Sequence, residues 1–263
     1  MQFGICLLSL VPCRREPSGT SEMVTQLLFG EHYTVREQKE DWYKIITGPD
    51  HYECWISAKQ HAPLSQRHFE LLGSQVVHYA GDLIQIVTDL SRDIRFPISL
   101  GCVLPFLKGD TFQIEDRQFA FEGSTIKSGT KGSAASVLQT AYLLLNAPYL
   151  WGGRGPFGID CSGFTQLIYK LNGYALPRDA SQQVSLGEPL SFVEEARAGD
   201  LAFFDNEEGR IVHVGIVIDH LQILHASGNV RIDKYDHYGI FNGETGRYSH
   251  SMRVIKRVLP DQD

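Results

Sequence analysis

The chain has 263 residues, of which 43% are apolar and 21% charged, so it can bury a sizeable core and is not a disordered chain. Its formal net charge is −7 and it contains no long basic run, which disfavours a nucleic-acid binder because such proteins need a basic face. No apolar stretch reaches the roughly 18 residues of a membrane span, so no span is predicted.

The N-terminus combines a short apolar run, Phe3 to Val11, with a cysteine at position 13. This is compatible with a truncated lipoprotein export signal. However, no Lys or Arg precedes the run, and Pro12 stands where a small residue should precede the cleaved bond, which favours a first β-strand ended by Pro12. Five scattered cysteines also favour a reducing compartment. We therefore expect a cytoplasmic protein, with export as the alternative if residues 1–13 are the remnant of a signal.

Residues 1–65 contain short apolar runs and turns at a spacing of about ten residues, which predicts a small β-barrel. A short helical linker is predicted over Gln66 to Leu72. Residues 76–122 contain further short β runs, which favour a second small barrel. Gly123 to Gly132 reads as a linker, and its glycines and lysines do not match a phosphate-binding loop. The strands predicted in these two barrels are Tyr33 to Arg36, Trp42 to Thr47, Tyr52 to Ile56, Leu83 to Thr88, Arg95 to Ser99, Cys102 to Phe106, Thr111 to Ile114 and Phe119 to Phe121.

Residues 134–263 have a different pattern. Apolar residues at helical spacing predict helices over Ala134 to Asn146 and Cys161 to Asn172. Helices followed by an antiparallel sheet define an α+β fold. The strands predicted after these helices are Asp200 to Phe204, Ile211 to Asp219, Leu221 to Ala226 and Arg253 to Val258.

Cys161 is the candidate nucleophile, because a turn leads from Asp160 directly into the helix that begins with this thiol. The positive end of the helix dipole favours a thiolate by roughly 0.3–1 kcal/mol. With an imidazolium nearby, a cysteine pKa can fall to about 3.5–7.5. The alternative is a buried apolar cysteine, which we assign to Cys6, Cys54 and Cys102 because they lie within strand patterns.

His213 and His225 are the candidate base and orienting residue. Both lie six residues from Asp219, so a hairpin that turns there places them opposite each other, or within one residue, on one face of a sheet. A single strand histidine is more often structural than catalytic. The other eight histidines, His250 among them, show no such pairing. No CxxC or HExxH pattern occurs, so neither a metal nor another cofactor is predicted.

Five motifs stand in the order found in the NlpC family of papain-like cysteine peptidases that act on bacterial cell-wall peptides. The match covers about residues 134–258. The N-terminal strand and turn pattern also resembles a bacterial SH3-like domain, so the whole chain resembles the γ-D-glutamyl-L-diamino acid endopeptidases (dipeptidyl-peptidase VI) of that family. The motifs are Tyr149-Leu150-Trp151-Gly152-Gly153, Asp160-Cys161-Ser162-Gly163-Phe164, Leu176-Pro177-Arg178-Asp179-Ala180-Ser181-Gln182-Gln183, Gly199-Asp200-Leu201-Ala202-Phe203-Phe204 and His213-Val214-Gly215.

The resemblance implies a papain-like catalytic domain preceded by two SH3-like barrels. It implies Cys161 as nucleophile, His213 as base and His225 as the residue that orients the base. The substrate implied is a murein-derived peptide with a free N-terminal L-Ala, cut between γ-D-Glu and the diamino acid. The residues implied or considered as substrate-binding are Tyr149, Asp160, Ser162 and Arg178, with Tyr52 and Glu31 of the first barrel closing the pocket around the substrate amine.

Each substrate-binding assignment has a structural alternative. Asp160 is also a natural N-cap for the Cys161 helix, and a carboxylate there opposes formation of a thiolate. Ser162 is otherwise a first-turn helix residue, and Arg178 a surface residue. Tyr149 and Trp151 are alternatively core aromatics, which is the favoured interpretation for Trp151.

Two rival functions stay open on sequence alone. One is a related amidase or acyltransferase with the same Cys–His core. The other is a non-catalytic wall-binding module built on the two barrels, against which the intact set of Cys161, His213 and His225 argues. The sequence does not indicate the oligomeric state or the preferred diamino acid.

Overall fold

The computed structural model describes residues 2–48, 50–74 and 76–260 of the chain. The first predicted domain begins at Met1 and the last ends at residue 263. Met1 and residues 261–263 lie outside the described residues. By its contacts the chain forms two compact units. The first comprises the residues up to Thr130 together with Arg154–Pro156, and the second comprises Lys131–Gly153 and the residues from Phe157 onward.

The first unit is mostly β-structure. Its helix α1 spans Gln66–Ser74, which confirms the predicted helical segment, and a 3-10 turn covers Ala58–Gln60. Its strands are β1 (Gln2–Ile5), β2 (Leu10–Arg14), β3 (Met23–Leu28), β4 (His32–Lys39), β5 (Trp42–Thr47), β6 (Glu53–Ser57), β7 (Ala62–Leu64), β8 (His78–Ala80), β9 (Ile84–Asp89), β10 (Ile94–Ser99), β11 (Val103–Leu104), β12 (Thr111–Ile114), β13 (Arg117–Phe121), β14 (Thr125–Lys127) and β15 (Arg154–Gly155).

Strands β1 to β7 pair in one antiparallel sheet in the order β3-β2-β6-β5-β4-β1-β7. Its core includes Val11, Leu27, Tyr33, Ile45 and Ile56, all of them buried. Burial of such side chains is the main favourable term in folding, at roughly 1.5–3 kcal/mol for each large apolar group.

The prediction of a first strand ended by Pro12 is wrong in its boundaries. The chain forms two strands here, and Pro12 lies inside the second, β2, where it pairs with Gln26 of β3. β2 pairs with β6 only at Arg14, so at Pro12 its only partner strand is β3. Proline lacks a backbone N–H, and this position tolerates it because no hydrogen bond to a second strand is required there.

Residues 78–127 form two small antiparallel sheets, in the orders β10-β9-β13-β12 and β11-β8-β14. The predicted linker over Gly123 to Gly132 is partly wrong, because β14 lies within it and pairs with β8. β8 was not predicted either, since both strands are only three residues long and carry little apolar pattern. Both small sheets share one core with the seven-stranded sheet. Its buried residues include Ile5, Leu28, Phe29, Ala80, Val87, Leu104, Phe112, Phe119 and Phe121.

Gly30 lies between β3 and β4, where the seven-stranded sheet contacts β11 of a small sheet. Its φ is +78°, a backbone conformation that disfavours any residue with a Cβ, and a Cβ at this position would collide with the backbone carbonyl of Val103. The approach is close because the Val103 amide donates a 2.8 Å hydrogen bond to the Phe29 carbonyl. Only glycine allows this contact without a shift of the backbone.

We expect Gly30→Ala to lower the free energy of unfolding by about 2–5 kcal/mol, from the left-handed backbone and the collision together. Gly109→Ala is the matched control, because Gly109 also has a positive φ of +59° but no neighbouring atom within 4 Å. Its loss is expected to be about 1–2 kcal/mol. Urea unfolding of both variants measures the difference, and equal losses would show that the contact with Val103 contributes nothing.

The second unit contains the helices α2 (Ala134–Tyr142), α3 (Cys161–Leu171) and α4 (Ala180–Gln183). A 3-10 turn covers Val193–Glu195. Its strands are β16 (Gly158–Ile159), β17 (Glu188–Pro189), β18 (Leu201–Asp205), β19 (Ile211–Val217), β20 (Gln222–Ser227), β21 (Asn229–Asp236), β22 (Gly239–Asn242) and β23 (Arg247–Arg257).

Six of these strands close into a barrel. They pair in the order β23-β18-β19-β20-β21-β22, and β22 pairs again with β23. The predicted antiparallel sheet is thus present, although its extent differs from the prediction. β21 and β22 were not predicted, and β23 begins six residues before the predicted strand. The α+β prediction is confirmed, since the helices come first and the antiparallel strands follow.

The helix α3 packs against β19 and β20 of the barrel. Its apolar residues Phe164, Leu167 and Ile168 are fully buried, as the helical spacing predicts. This packing fixes the N-terminus of α3 against the barrel wall. In the part of the chain that the structure describes, no helix is long and apolar enough to cross a membrane.

Candidate active site

Cys161 is the first residue of α3, as predicted, and only 6% of its surface is exposed. A backbone hydrogen bond links its thiol to Val214 of β19. Because Val214 follows His213 directly, this bond brings the helix start to the strand that carries the candidate base. The structure thus brings the predicted nucleophile and the predicted base to one place in the second unit.

Asp160 is the N-cap of α3, and its carboxylate has many partners. Oδ1 accepts from the Gly163 backbone N–H at 2.7 Å, and Oδ2 accepts from the Gly152 backbone N–H at 2.8 Å. Arg178 donates to both oxygens, at 3.0 and 2.6 Å. The capping interpretation is therefore correct. A role in binding a substrate amine stays a prediction, and Arg178 already balances the charge of this carboxylate.

Arg178 is 1% exposed, so the surface interpretation of this residue is wrong. Besides Asp160, its guanidinium donates to the Ser162 hydroxyl at 2.9 Å. Ser162 is thus a first-turn residue whose buried side chain belongs to the same network. These bonds orient Arg178 toward Asp160, and its binding of a substrate carboxylate stays a prediction.

His213 and His225 are hydrogen-bonded, with 2.9 Å between His213 Nε2 and His225 Nδ1. The predicted register is wrong, however. His225 pairs with Gly215, so the two histidines are two residues out of register and meet diagonally on one face. The hairpin is centred one residue later than predicted, at position 220 instead of 219.

Gly215 makes room for this diagonal contact. A Cβ at this position would lie 2.8 Å from the Cβ of His225, closer than such atoms pack. Any larger residue would therefore push His225 away from His213. Glycine is needed in the His213-Val214-Gly215 motif because the neighbouring His225 leaves no room for a side chain, and not because the backbone has a positive φ.

Asp233 and Arg231 extend the pair, and sequence reasoning missed both. His225 Nε2 lies 3.1 Å from Asp233 Oδ2. Arg231 donates to Asp233 Oδ1 at 3.1 Å, and its Nε lies 2.7 Å from Oδ2 in an ion-pair contact. The signal was weak, because β21 was not predicted and single charged residues on a strand are usually exposed.

His250 was also missed, and the expectation that it has no pairing is wrong. Its ring stacks on that of His213, with 4.0 Å between centroids and 23° between planes. His250 lies on β23, which is far from His213 in sequence. The pairing of β18 with both β19 and β23 brings these rings together, so no local spacing could have predicted their contact.

Burial dominates the electrostatics of the catalytic pair. It raises the pKa of the Cys161 thiol to about 12, helped by the Asp160 charge, while the Val214 hydrogen bond and Arg178 act in the opposite direction. Burial also holds the pKa of His213 well below its usual value, and His225 and His250 add to this. In the free protein, burial thus disfavours both the thiolate of Cys161 and the imidazolium of His213. The helix dipole, which favours a thiolate, is opposed here by burial and by the Asp160 charge.

Tyr149 is half-buried beside this centre. Burial raises the pKa of its hydroxyl, and the nearby Cys161 and Asp160 act in the same direction. Trp151, by contrast, is 58% exposed, so its interpretation as a core aromatic is wrong. It lies in a turn closed by a hydrogen bond from the Gly153 amide to the Leu150 carbonyl, and turn residues commonly point outward.

Glu31 and Tyr52 belong to the first unit. The Glu31 carboxylate is buried, and both of its oxygens accept from Arg154, at 2.7 and 3.0 Å. Glu31 also accepts from the Leu28 amide at 3.0 Å. Tyr52 is half-buried, with its amide donating to the Thr47 hydroxyl at 2.8 Å. Their roles toward a substrate stay predictions.

Among the described residues, no group of three or more His, Cys, Asp or Glu side chains is arranged to hold a metal ion. The three neighbouring histidines do not form such a group. The ring of His213 stacks on the ring of His250, and its Nε2 is hydrogen-bonded to His225, so the ring nitrogens do not point at a common site.

Comparison with known proteins places this site in a family. Residues 146–245 match the NlpC/P60 family, and residues 13–60 match the bacterial dipeptidyl-peptidase Sh3 domain. The chain is 30% identical over 222 residues to the gamma-D-glutamyl-L-lysine dipeptidyl-peptidase of Bacillus subtilis (strain 168), a match that covers 77% of this chain and 71% of that protein. It is 25% identical over 245 residues to dipeptidyl-peptidase 6 of Lysinibacillus sphaericus, covering 81% and 83% respectively.

The fold agrees with these matches. The crystal structure of an NlpC/P60 family protein from Bacillus cereus ATCC 10987 is similar with a TM-score of 0.83 and 21% identity, over 98% of this chain and 100% of that one. The chain belongs to the NlpC/P60 family of cell-wall peptidases, and it carries the SH3-like domain of the bacterial dipeptidyl-peptidases. The predicted family and fold are confirmed.

Because the thiol of Cys161 has a raised pKa, only a small fraction is thiolate at neutral pH, and that fraction grows about tenfold with each pH unit. We expect alkylation of Cys161 by iodoacetamide to accelerate in this way from pH 6 to pH 9, without a plateau. The Cys161→Ser variant gives the background from the four other cysteines, all buried. A plateau beginning below pH 7 would instead indicate a thiolate–imidazolium pair in the free protein.

Proposed function

We propose that this chain is a cysteine peptidase that hydrolyses the bond between γ-D-Glu and the diamino acid in murein-derived peptides. The observation that carries the proposal is the buried Cys161 at a helix N-terminus, beside the strand that bears the hydrogen-bonded pair His213–His225. Two relatives named for dipeptidyl-peptidase activity, one of them toward gamma-D-glutamyl-L-lysine, support the substrate class.

The chemistry begins with a neutral pair. As the Cys161 sulfur attacks the γ-carbonyl carbon, His213 takes the thiol proton, so the thiolate forms only as it is consumed. This order suits a site where burial disfavours both charged forms. The carbonyl oxygen becomes an oxyanion, for which the backbone N–H of Cys161 at the start of α3 is the proposed donor, worth about 2.7–4 kcal/mol.

The intermediate then collapses. The C–N bond breaks, the amine of the diamino acid takes the proton from His213, and a thioester on Cys161 remains. Water attacks this thioester with His213 again acting as base, which releases the γ-D-Glu carboxylate and returns the proton to the sulfur. The products are the dipeptide L-Ala-γ-D-Glu and the remaining peptide.

The proposed substrate has a free N-terminus. The names of the relatives support this requirement more strongly than the geometry of the site does. A dipeptidyl-peptidase releases two residues from an amino end, which agrees with cleavage after L-Ala-γ-D-Glu. Asp160 was the predicted partner for the substrate ammonium, but its oxygens already accept from Arg178 and two backbone amides. A substrate ammonium would have to join this network instead of meeting an uncompensated carboxylate.

We also propose that the enzyme works in the cytoplasm on peptides recovered from the wall. The proposal follows from the demand for a free L-Ala nitrogen, because in intact peptidoglycan the glycan acylates that nitrogen. Localisation of the tagged full chain in its source cells, by fractionation against a periplasmic or surface marker, tests this step separately from the chemistry.

We expect Cys161→Ala to lose all turnover of L-Ala-γ-D-Glu-L-Lys while keeping the thermal stability of the parent, because only the nucleophile is removed. Cys102→Ala, a buried cysteine of the first unit, is the control and should keep near-parental turnover. Mass spectrometry identifies the products. Turnover by the Cys161 variant would contradict the mechanism, and transfer of the dipeptide to an added amine without hydrolysis would show an acyltransferase.

We expect N-acetylation of the same tripeptide to reduce kcat/KM by at least about 100-fold, because a site that hydrogen-bonds a substrate amine discriminates strongly against an analogue that lacks those donors. The measurement compares the two peptides at equal concentrations with release of lysine as the readout. Equal rates on both, or efficient digestion of intact sacculi, would contradict the demand for a free amine and favour an enzyme of the wall itself.

A further inference from the structure

Asp233 ends a line of polar side chains that crosses three neighbouring strands of the barrel. His225 pairs with Arg231 in the β20–β21 ladder, and Asp233 lies two residues further along β21, on the same face. The step from His213 to His225 has the same diagonal form across β19 and β20. All three members of the line, His213, His225 and Asp233, are at least nine-tenths buried.

The carboxylate at the end of this line is held in its ionised form. Burial alone would raise the pKa of Asp233, but hydrogen bonds from His225 and Arg231 outweigh burial and lower it. Arg231 provides the opposite charge at 2.7 Å and is itself paired with Glu244 at 3.3 Å. Asp233 can therefore only accept hydrogen bonds at neutral pH.

An acceptor at this end decides where the protons of both histidines lie. With Asp233 accepting at 3.1 Å, His225 carries its proton on Nε2, and its Nδ1 is left as an acceptor. His213 must then donate from Nε2 across the 2.9 Å contact. The neutral His213 consequently keeps the lone pair on Nδ1. Without Asp233, His225 can donate from Nδ1 instead, and the proton of His213 then occupies the nitrogen needed as base.

We propose that Asp233 is a positioning residue for the peptidase reaction, which acts through His225 to fix the tautomer of the base His213. The proposal rests on the proposed function for its kinetic consequence only. His250 does not replace this control, because its ring stacks on His213 face to face and makes its own hydrogen-bond contact with the Ser249 hydroxyl at 2.8 Å.

The test is Asp233→Leu, which removes the acceptor while keeping much of the side-chain volume. We expect kcat on L-Ala-γ-D-Glu-L-Lys to fall about 10–100-fold, with KM changed less than about threefold, as for the loss of a hydrogen-bond partner behind a functional histidine. In parallel, long-range proton–nitrogen NMR spectra of the full chain labelled with ¹⁵N-histidine report the tautomers directly. The parent should show His213 and His225 protonated on Nε2, and the variant a mixture or a reversal.

Asp236→Leu is the matched control, since Asp236 lies on the same strand and accepts from Tyr248 at 2.6 Å, outside the histidine line. It should leave kcat and both tautomers as in the parent. If Asp233→Leu does not fold, Asp233→Ser, whose hydroxyl is too short to reach His225, serves for the same measurements.

Unchanged tautomers in the Asp233 variant would overturn the proposal even if kcat fell, because a purely structural role predicts that result. An unchanged kcat would overturn it as well. If the parent does not cut the peptide at all, the proposed function fails while the NMR spectra still decide whether Asp233 controls the tautomers, so the two failures are distinguishable.

Discussion

The hydrogen bond between His213 and His225 is the contact on which the site depends. Two imidazoles buried in a barrel wall lose their water, and each must recover hydrogen bonds from neighbouring side chains or cost the fold several kcal/mol. The structure satisfies this demand in a line that runs from His213 through His225 to Asp233 and Arg231. Other features near the line are consistent with the same demand. Gly215 leaves space for the diagonal step, and the ring of His250 on β23 stacks on the ring of His213.

The nucleophile depends on a second buried pair of charges. Asp160 begins α3 and satisfies backbone amides there, but its charge opposes a thiolate one residue away. Arg178 offsets that charge through two hydrogen bonds to the carboxylate. Removing one partner of such a buried pair typically costs about 3–5 kcal/mol, so both residues are needed for the helix start as well as for its electrostatics. A residue close to a nucleophile can thus serve the fold first.

Much of this arrangement could be predicted from the sequence. The helix with Cys161 at its start follows from a polar turn and an apolar periodicity, and both are local properties of the chain. The face shared by His213 and His225 follows from strand alternation, although the register differed because a hairpin centre is uncertain by a residue when the turn is not a two-residue type.

The rest depended on strand pairings that the local pattern does not indicate. Asp233 joins the site because β21 pairs with β20, and His250 because β23 pairs with β18, the neighbour of β19; neither β21 nor β23 was fully predicted. The balance of effects on the Cys161 thiol could not be predicted for a related reason. A helix dipole can be inferred from sequence, whereas the depth of burial that outweighs it is a property of the packed unit. Arg178 likewise looked like a surface residue until its buried carboxylate partner was visible.

The second pairing of β22 with β23 means that the six strands of the barrel have no free edge. An open sheet can lose its outer strand by fraying, but a closed ring has no strand with unpaired amides along one side. The strands that carry His213 and His225 are each held from both sides, so they cannot separate without breaking the ring. Local opening there is coupled to unfolding of the whole unit, and the geometry of the base inherits the global stability of the barrel.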